Sequence, residues 1–327
     1  MANFDLVLDL GSDFVSVVAK TDDVLVKQHS LLAIKDDDNG EILACGNGAV
    51  KLYKHNPKRI KLVRPFDECN IKNKDWFDCY FNWLFTIINA DAFDNQKARI
   101  LCVVPSGTNA NEKKMLEAAF VNLGAKMVVF VEIPKALIKI AEQENASSSG
   151  IMVDIGSAIA DFGCFVNGEM TSGCSLYMGG RQLDIAIKQF VEEQYNLHID
   201  LVVAEKIKKQ CSLYSNNIGS IFAEGKNFGS HKEERIEIPV RSLYDVVARY
   251  VNKYCGVIKS MLRSSDVGIV EKIKLGGIYL SGGVSQIEGI AEYVSKNTDL
   301  KVKVSAYGSN TVVYGARLLM EGKVFAR

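Results

Sequence analysis

The chain of 327 residues has no surplus of charge: 39 basic and 39 acidic side chains cancel to a formal net charge of zero. That balance gives no support for the basic footprint of a nucleic-acid binder, and it favours self-association over repulsion between copies. Histidine is scarce. His29, His55, His198 and His231 stand far apart, which excludes a histidine-based metal motif. The eight cysteines contain no Cys-x-x-Cys pair, and most fall in apolar strand or helix patterns. They are expected as buried free thiols in a reducing cytoplasm. No apolar run approaches the ~18 residues of a membrane span. The opening MANFDLVLDLG lacks the basic start and long apolar core of a secretion signal.

What is present is apolar: 48% of residues are hydrophobic, ample for a sizeable core, and the length suggests two domains. Residues 4–34 alternate and carry Gly and Asp turns, which predicts three antiparallel strands near 4–10, 14–20 and 24–34. A strand at 42–45, a helical and loop region through 47–75 and a buried helix over 75–90 follow. ARILCVVPSG is a buried strand. Asn109, with Glu112 three residues on, opens a helix closed by Gly124. Met115, Leu116, Ala119, Phe120 and Leu123 form its apolar stripe. KMVVFVEI is a strand, and Pro134 sits in the first turn of the next helix.

Polar NASSS at 145–149 marks a domain boundary. Beyond it the opening pattern returns, with Asn167-Gly168 as a tight hairpin. LVLDLGS aligns with IMVDIGS: Asp9 with Asp154, Gly11 with Gly156, Ser12 with Ser157. One supersecondary unit used twice predicts two similar α/β domains. Helices are expected at 180–195, 202–212, 241–263 and 310–321, and another from Ser285. Strands are expected at RIEIPV, IYLSGG and KVKVS, the first within an otherwise loose 213–240.

Backbone amides in tight Asp-x-Gly-Ser turns form anion-binding nests. An aspartate at each strand end suits a hydrated Mg²⁺, which needs one or two carboxylates. Gly179-Gly180 and Gly282-Gly283 each precede a helix pattern, where glycine allows close approach of phosphate or base.

These motifs, together with GEILACGNGAVKLYKHNPKRIKLVRPFDECNI, CVVPSGTNANEKKMLEAAFVNLGA, MGGRQLDIAI, AEKIKKQCS and YLSGGVSQIEGI, span nearly the whole chain. It resembles the MreB family of bacterial actins, in the superfamily of actin, the heat-shock chaperone ATPase domain and sugar kinases. The resemblance implies an actin-like (ribonuclease H-like) fold around a nucleotide cleft. Domain I would be 1–145, with a small subdomain near 32–73 and the helix 310–327 packing back on it. Domain II would be 146–309, with a small subdomain near 182–245. Nothing suggests the inserted subdomain of the FtsA relatives. By resemblance, Asp9, Gly11, Ser12, Gly156, Ser157, Gly179 and Gly180 surround the phosphates of ATP or ADP. Asp9 and Asp154 hold Mg²⁺. Glu205, Lys208 and Ser212, spaced for one helical face, contact the nucleoside, and Gly282, Gly283 and Val284 flank the adenine.

Three departures stand out. Ala158-Ile159-Ala160 replace the glycines and threonine of the second phosphate loop. Ile133 stands where the family has a water-positioning glutamate before the proline; Glu132, one residue earlier, is a poor substitute because neighbours on a strand face opposite ways. Asp13 adds a negative charge to the first phosphate turn. The expected function is an actin-like cytoskeletal filament protein with weak nucleotide binding or very slow hydrolysis, in effect a pseudo-ATPase. The alternative is a non-hydrolysing paralogue or scaffold that regulates an active MreB-like filament. A peripheral contact with the inner face of the membrane would use Phe93.

Overall fold

Alternating apolar side chains in β1 (Leu6–Leu10) and β2 (Phe14–Ala19) bury Leu6, Leu8, Leu10, Val15 and Val17 in one core. The computed structural model describes residues 4–19, 25–37, 40–88, 98–144 and 146–321. The chain divides into two units, Met1–Ile140 with Asn310–Arg327, and Ala141–Ser309.

In the first unit, β3 (Leu25–His29), β4 (Leu32–Lys35), β5 (Ile42–Cys45), α1 (Gly46–His55), β6 (Ile60–Val63), β7 (Phe66–Asp67) and β8 (Asn70–Ile71) follow β2. Then come α2 (Lys74–Ile87), β9 (Ala98–Val104), α3 (Ala110–Asn122), β10 (Ala125–Glu132) and α4 (Ile133–Gln143), whose last residues, from Ala141, begin the second unit. The main sheet runs β10-β9-β1-β2-β3, with β1 parallel to β9 and antiparallel to β2. Phe77 and Phe81 of α2 meet Phe120 of α3 at ring-centroid distances of 5.4 and 5.0 Å. Such pairs contribute about 0.5–1.5 kcal/mol each beyond area burial.

The second unit holds β11 (Gly150–Ile155), β12 (Ala160–Val166), β13 (Glu169–Leu176), α5 (Gly180–Tyr195), β14 (Leu197–His198), α6 (Leu201–Lys208), β15 (Ser220–Asn227) and β16 (Glu233–Pro239). It continues through α7 (Tyr244–Ser264), α8 (Val267–Gly276), β17 (Ile278–Ser281), α9 (Ile290–Thr298) and β18 (Val302–Val304). Its main sheet, β18-β17-β11-β12-β13, repeats the order and the strand senses of the first. The final α10 (Thr311–Glu321) returns to the first unit, where Gly315 lies so close to the Ala136 carbonyl that a Cβ would overlap it.

Several expected elements differ. The strand expected over 24–34 is two strands in two sheets, because Ser30 gives its amide to Asp13 and its hydroxyl to the Gly11 carbonyl instead of extending the ladder. Asn109 and Glu112 do form a capping box, but Met115 is 60% exposed, one position off the stripe carried by Leu116, Ala119 and Phe120. Residues 213–240 contain a full hairpin, β15–β16, rather than one strand, and α8 and β6 add elements where none was expected. A 3-10 turn over Gly283–Gln286 precedes α9, which begins at Ile290 rather than Ser285. Phe93 lies outside the described residues.

Candidate functional site: two glycine loops

Each unit presents a loop at the end of its central strand. In the first, Asp9 sits on β1 opposite Val103 of β9 and Ser16 of β2, and Ser16 in turn faces Lys27 of β3. Lys27 Nζ donates to Asn310 Oδ1 at 2.8 Å. Burial lowers the Lys27 pKa, and the Asp9 charge opposes that shift. The Gly11-Ser12-Asp13 turn is tied down from outside. Ser30 Oγ donates to the Gly11 carbonyl at 2.6 Å, Glu68 N to Ser12 Oγ at 3.2 Å, and Arg64 to both the Ser12 carbonyl and Asp13.

In the second unit, Asp154 is 8% exposed and accepts from Ser281 Oγ, its neighbour on β17. Burial pushes its carboxyl up to about 6, the Ser281 hydrogen bond opposing. Its cross-strand partner on β12 is Asp161, itself buried and bonded by Ser175. The following loop is braced through its carbonyls. Gly156 N donates to Ile159 O, Gly180 N to Gly156 O and Arg181 N to Ser157 O, at 2.8–2.9 Å. Gly179 is required here, since a Cβ would stand 2.5 Å from the Ser157 carbonyl oxygen. With the carbonyls engaged, the amides of Ser157 and Ala158 donate to nothing among the described residues, and Ser157 Oγ is buried without a partner. Adjacent open amides over satisfied carbonyls form an anion-binding nest. The side chains of Ala158, Ile159 and Ala160 turn inward and are buried.

Lys208 and Asp184 form an ion pair at 2.9 Å, with side chains only 11% and 10% exposed. Lys208 Nζ also donates to the Gly180 carbonyl, and Val284 Cγ2 approaches the same glycine. Gly282 has φ +89 and packs against Ile155, whereas a Cβ at Gly283 would enter open space. That contrast suits a surface kept clear for a flat ligand.

The fold thus brings Gly156, Ser157, Gly179, Gly180, Lys208 and Val284 into one cluster, with Gly282 packed on the adjoining strand. Asp9, Gly11 and Ser12 meet separately in the first unit. Ser212 does not join its expected face, while Glu205 stays one turn before Lys208 on the same helix. Glu205 is 42% exposed and pairs with Lys209. The helix ends at Lys208 because the chain tightens into 3-10-type bonds from Gln210 N to Ile207 O and from Cys211 N to Lys208 O. Ser212 therefore lies beyond the helix, buried and capping Tyr214 N. Glu132 is ion-paired with Lys135 at 2.7 Å and Lys113 at 3.8 Å, which holds its carboxylate to the lysines. Sequence reasoning did not name Asp161, Asp184 or Arg64 as site residues, although Asp184 closes the Gly-Gly-x-x-x-Asp turn and Arg64 belongs to the Arg-Pro of a resembling stretch; their partners, Lys208 and Asp13, lie 24 and 51 residues away.

Among the described residues no group of three or more His, Cys, Asp or Glu could hold a metal ion. A hydrated cation on one carboxylate remains compatible with Asp154, whose Oδ2 lies beside Gly156.

The comparisons agree with this architecture. The MreB/Mbl protein family model matches residues 3–324. The cell shape-determining protein Mbl of Bacillus subtilis is 23% identical, over 97% of this chain and 96% of its own. The crystal structure of MreB5 of Spiroplasma citri bound to ADP superposes with a TM-score of 0.88 at 21% identity, covering 97% of this chain and 95% of that one. A MamK double helical filament superposes at 0.79 with 18% identity, covering 97% and 99%. A duplicated sheet with paired Asp-x-Gly-Ser loops, matched over nearly its full length by one family, makes this chain a divergent member of the MreB/Mbl family with an actin-like fold.

Proposed function

We propose that the chain is an actin-like cytoskeletal filament protein, serving cell shape or organisation, that binds ATP or ADP weakly and hydrolyses it very slowly. The open amides of Ser157 and Ala158, beside the unpartnered Ser157 hydroxyl, carry the nucleotide part of this reading. The filament part is supported by the relatives: Mbl is named for cell-shape determination, MreB5 was crystallised with ADP and AMPPNP, and MamK forms a double helical filament. In this reading the two units are domains I and II, and each glycine loop offers backbone amides to phosphate. Asp9 and Asp154 would hold Mg²⁺, which would neutralise phosphate charge. Glu205 and Ser212 have the weakest claim to the nucleoside.

Slow turnover follows from what the second loop lacks. Phosphoryl transfer to water depends on positioning and electrostatics. Ile159 and Ala160 are buried aliphatics without a hydroxyl, Ile133 has no carboxylate, and Glu132 is held by two lysines. Loss of such groups costs about 10²–10⁴-fold. The same losses favour a second reading, a non-hydrolysing paralogue that co-assembles with an active MreB-like filament in the cytoplasm, at or near the inner face of the membrane.

Pelleting with ATP, with ADP and without nucleotide, alongside phosphate release, tests the proposal. Pellets in all three conditions with barely measurable release are expected. Restoring Ile133→Glu with Ile159→Thr should raise release. No pellet at high protein concentration would sink the filament reading, and release at ordinary actin-family rates would sink the slow-hydrolysis reading.

A further inference from the structure

Asp13 places a carboxylate in the first glycine turn, where it would repel a phosphate. The structure answers that charge with Arg64. Its Nη2 donates to Asp13 Oδ1 at 2.9 Å and its Nη1 to the Ser12 carbonyl, so the guanidinium fork lies along the loop itself. The Ser12 amide donates to nothing among the described residues, while the Ser12 hydroxyl accepts from Glu68 N. The Arg64 and Asp13 side chains are 27% and 37% exposed, so a ligand at this turn can reach both. A pair this exposed contributes little to stability. Arginine's planar fork suits phosphate oxygens, and one guanidinium can serve a carboxylate and a phosphate together.

We propose that Arg64 is a phosphate-binding residue of the first loop, restrained by Asp13, so that this pair sets the affinity for the polyphosphate of a nucleotide. The inference rests on the nucleotide reading above. It gives the chain a cationic phosphate contact from β6 and its following turn, 52 residues from the loop it serves. Asp13 then acts as a competitor: it holds the guanidinium in place and reduces the positive charge offered to the ligand.

The two substitutions separate a ligand from a brace by sign. If Arg64 binds phosphate, Asp13→Asn removes the competitor and the repulsion, and ATP binding tightens. Arg64→Gln removes the contact, and ATP binding weakens. If the pair only braces the loop, both substitutions loosen it and act in the same direction.

Calorimetric titration of the full chain with ATP, ADP and adenosine tests this. Asp13→Asn should tighten ATP severalfold, and Arg64→Gln should weaken it about tenfold, the scale of one charge-assisted contact. Arg64→Lys should fall between, since it keeps charge but loses the fork. Adenosine, which has no phosphate, should be unaffected by any of them. Same-direction shifts for ATP, or equal shifts for adenosine and ATP, overturn the proposal while leaving nucleotide binding intact. Failure of the wild-type chain to bind any of the three ligands overturns the nucleotide reading itself, and this inference with it.

Discussion

Replacing Asp154 by Asn probes the second loop through its electrostatics. Burial raises this carboxyl from an ordinary 3.8 to about 6. Below about pH 4 the group is protonated in both folded and unfolded chains, and its burial carries no charge penalty. Between about pH 4 and 6 the unfolded chain loses the proton while the folded chain keeps it, so stability falls as pH rises. Above about pH 6 the loss is complete. At ~1.4 kcal/mol per pH unit, the shift corresponds to about 3 kcal/mol. Asparagine never ionises, and its Oδ1 can still accept from Ser281 Oγ. Asp154→Asn should therefore match the wild type near pH 4 and exceed it by up to about 3 kcal/mol at pH 7.5. Both tryptophans, Trp76 and Trp83, belong to the first unit, so urea unfolding should be followed by circular dichroism rather than by their fluorescence. Equal stabilities at pH 7.5, or a difference that does not change with pH, would refute the reasoning.

Neighbouring glycines should respond in opposite ways. Gly282→Ala meets the Ile155 carbonyl at φ +89 and should lower the melting temperature markedly, whereas Gly283→Ala enters open space and should leave it nearly unchanged while weakening adenine-nucleotide binding. Lys208→Met should lower the melting temperature by removing the ion-pair partner of the nearly buried Asp184, and adding Asp184→Leu should recover much of that loss. Failure of the double substitution to recover stability would mean that Lys208 acts through Gly180 rather than through Asp184.

Much of the fold was legible because strand and helix periods are local. LVLDLGS and IMVDIGS each show a buried strand running into a turn, and Asn109 with Glu112 announces its helix four residues before the first buried side chain follows. The errors came where tertiary contacts override the local pattern. Ser30 breaks a strand by serving the first loop, and Ser212 leaves the helix to bridge to Glu288. Met115 shows the limit of an apolar stripe, since one position of rotation separates core from solvent on a helix.

The sequence alone determined the duplication, the placement of an aspartate and a glycine at each central strand end, and the absence of a hydroxyl at Ile159. These are properties of residue type and spacing, and folding cannot add a missing oxygen. Tertiary structure alone decided which polar groups are spent and which remain open. It paired Asp13 with Arg64 and Lys208 with Asp184, buried the Asp154 carboxyl, and engaged the loop carbonyls while leaving the Ser157 and Ala158 amides without an acceptor among the described residues. Asp184 and Lys208 meet only when their two helices pack, and Asp154 and Ser281, 127 residues apart, meet only once their strands are in register, so the pairings themselves have no local pattern.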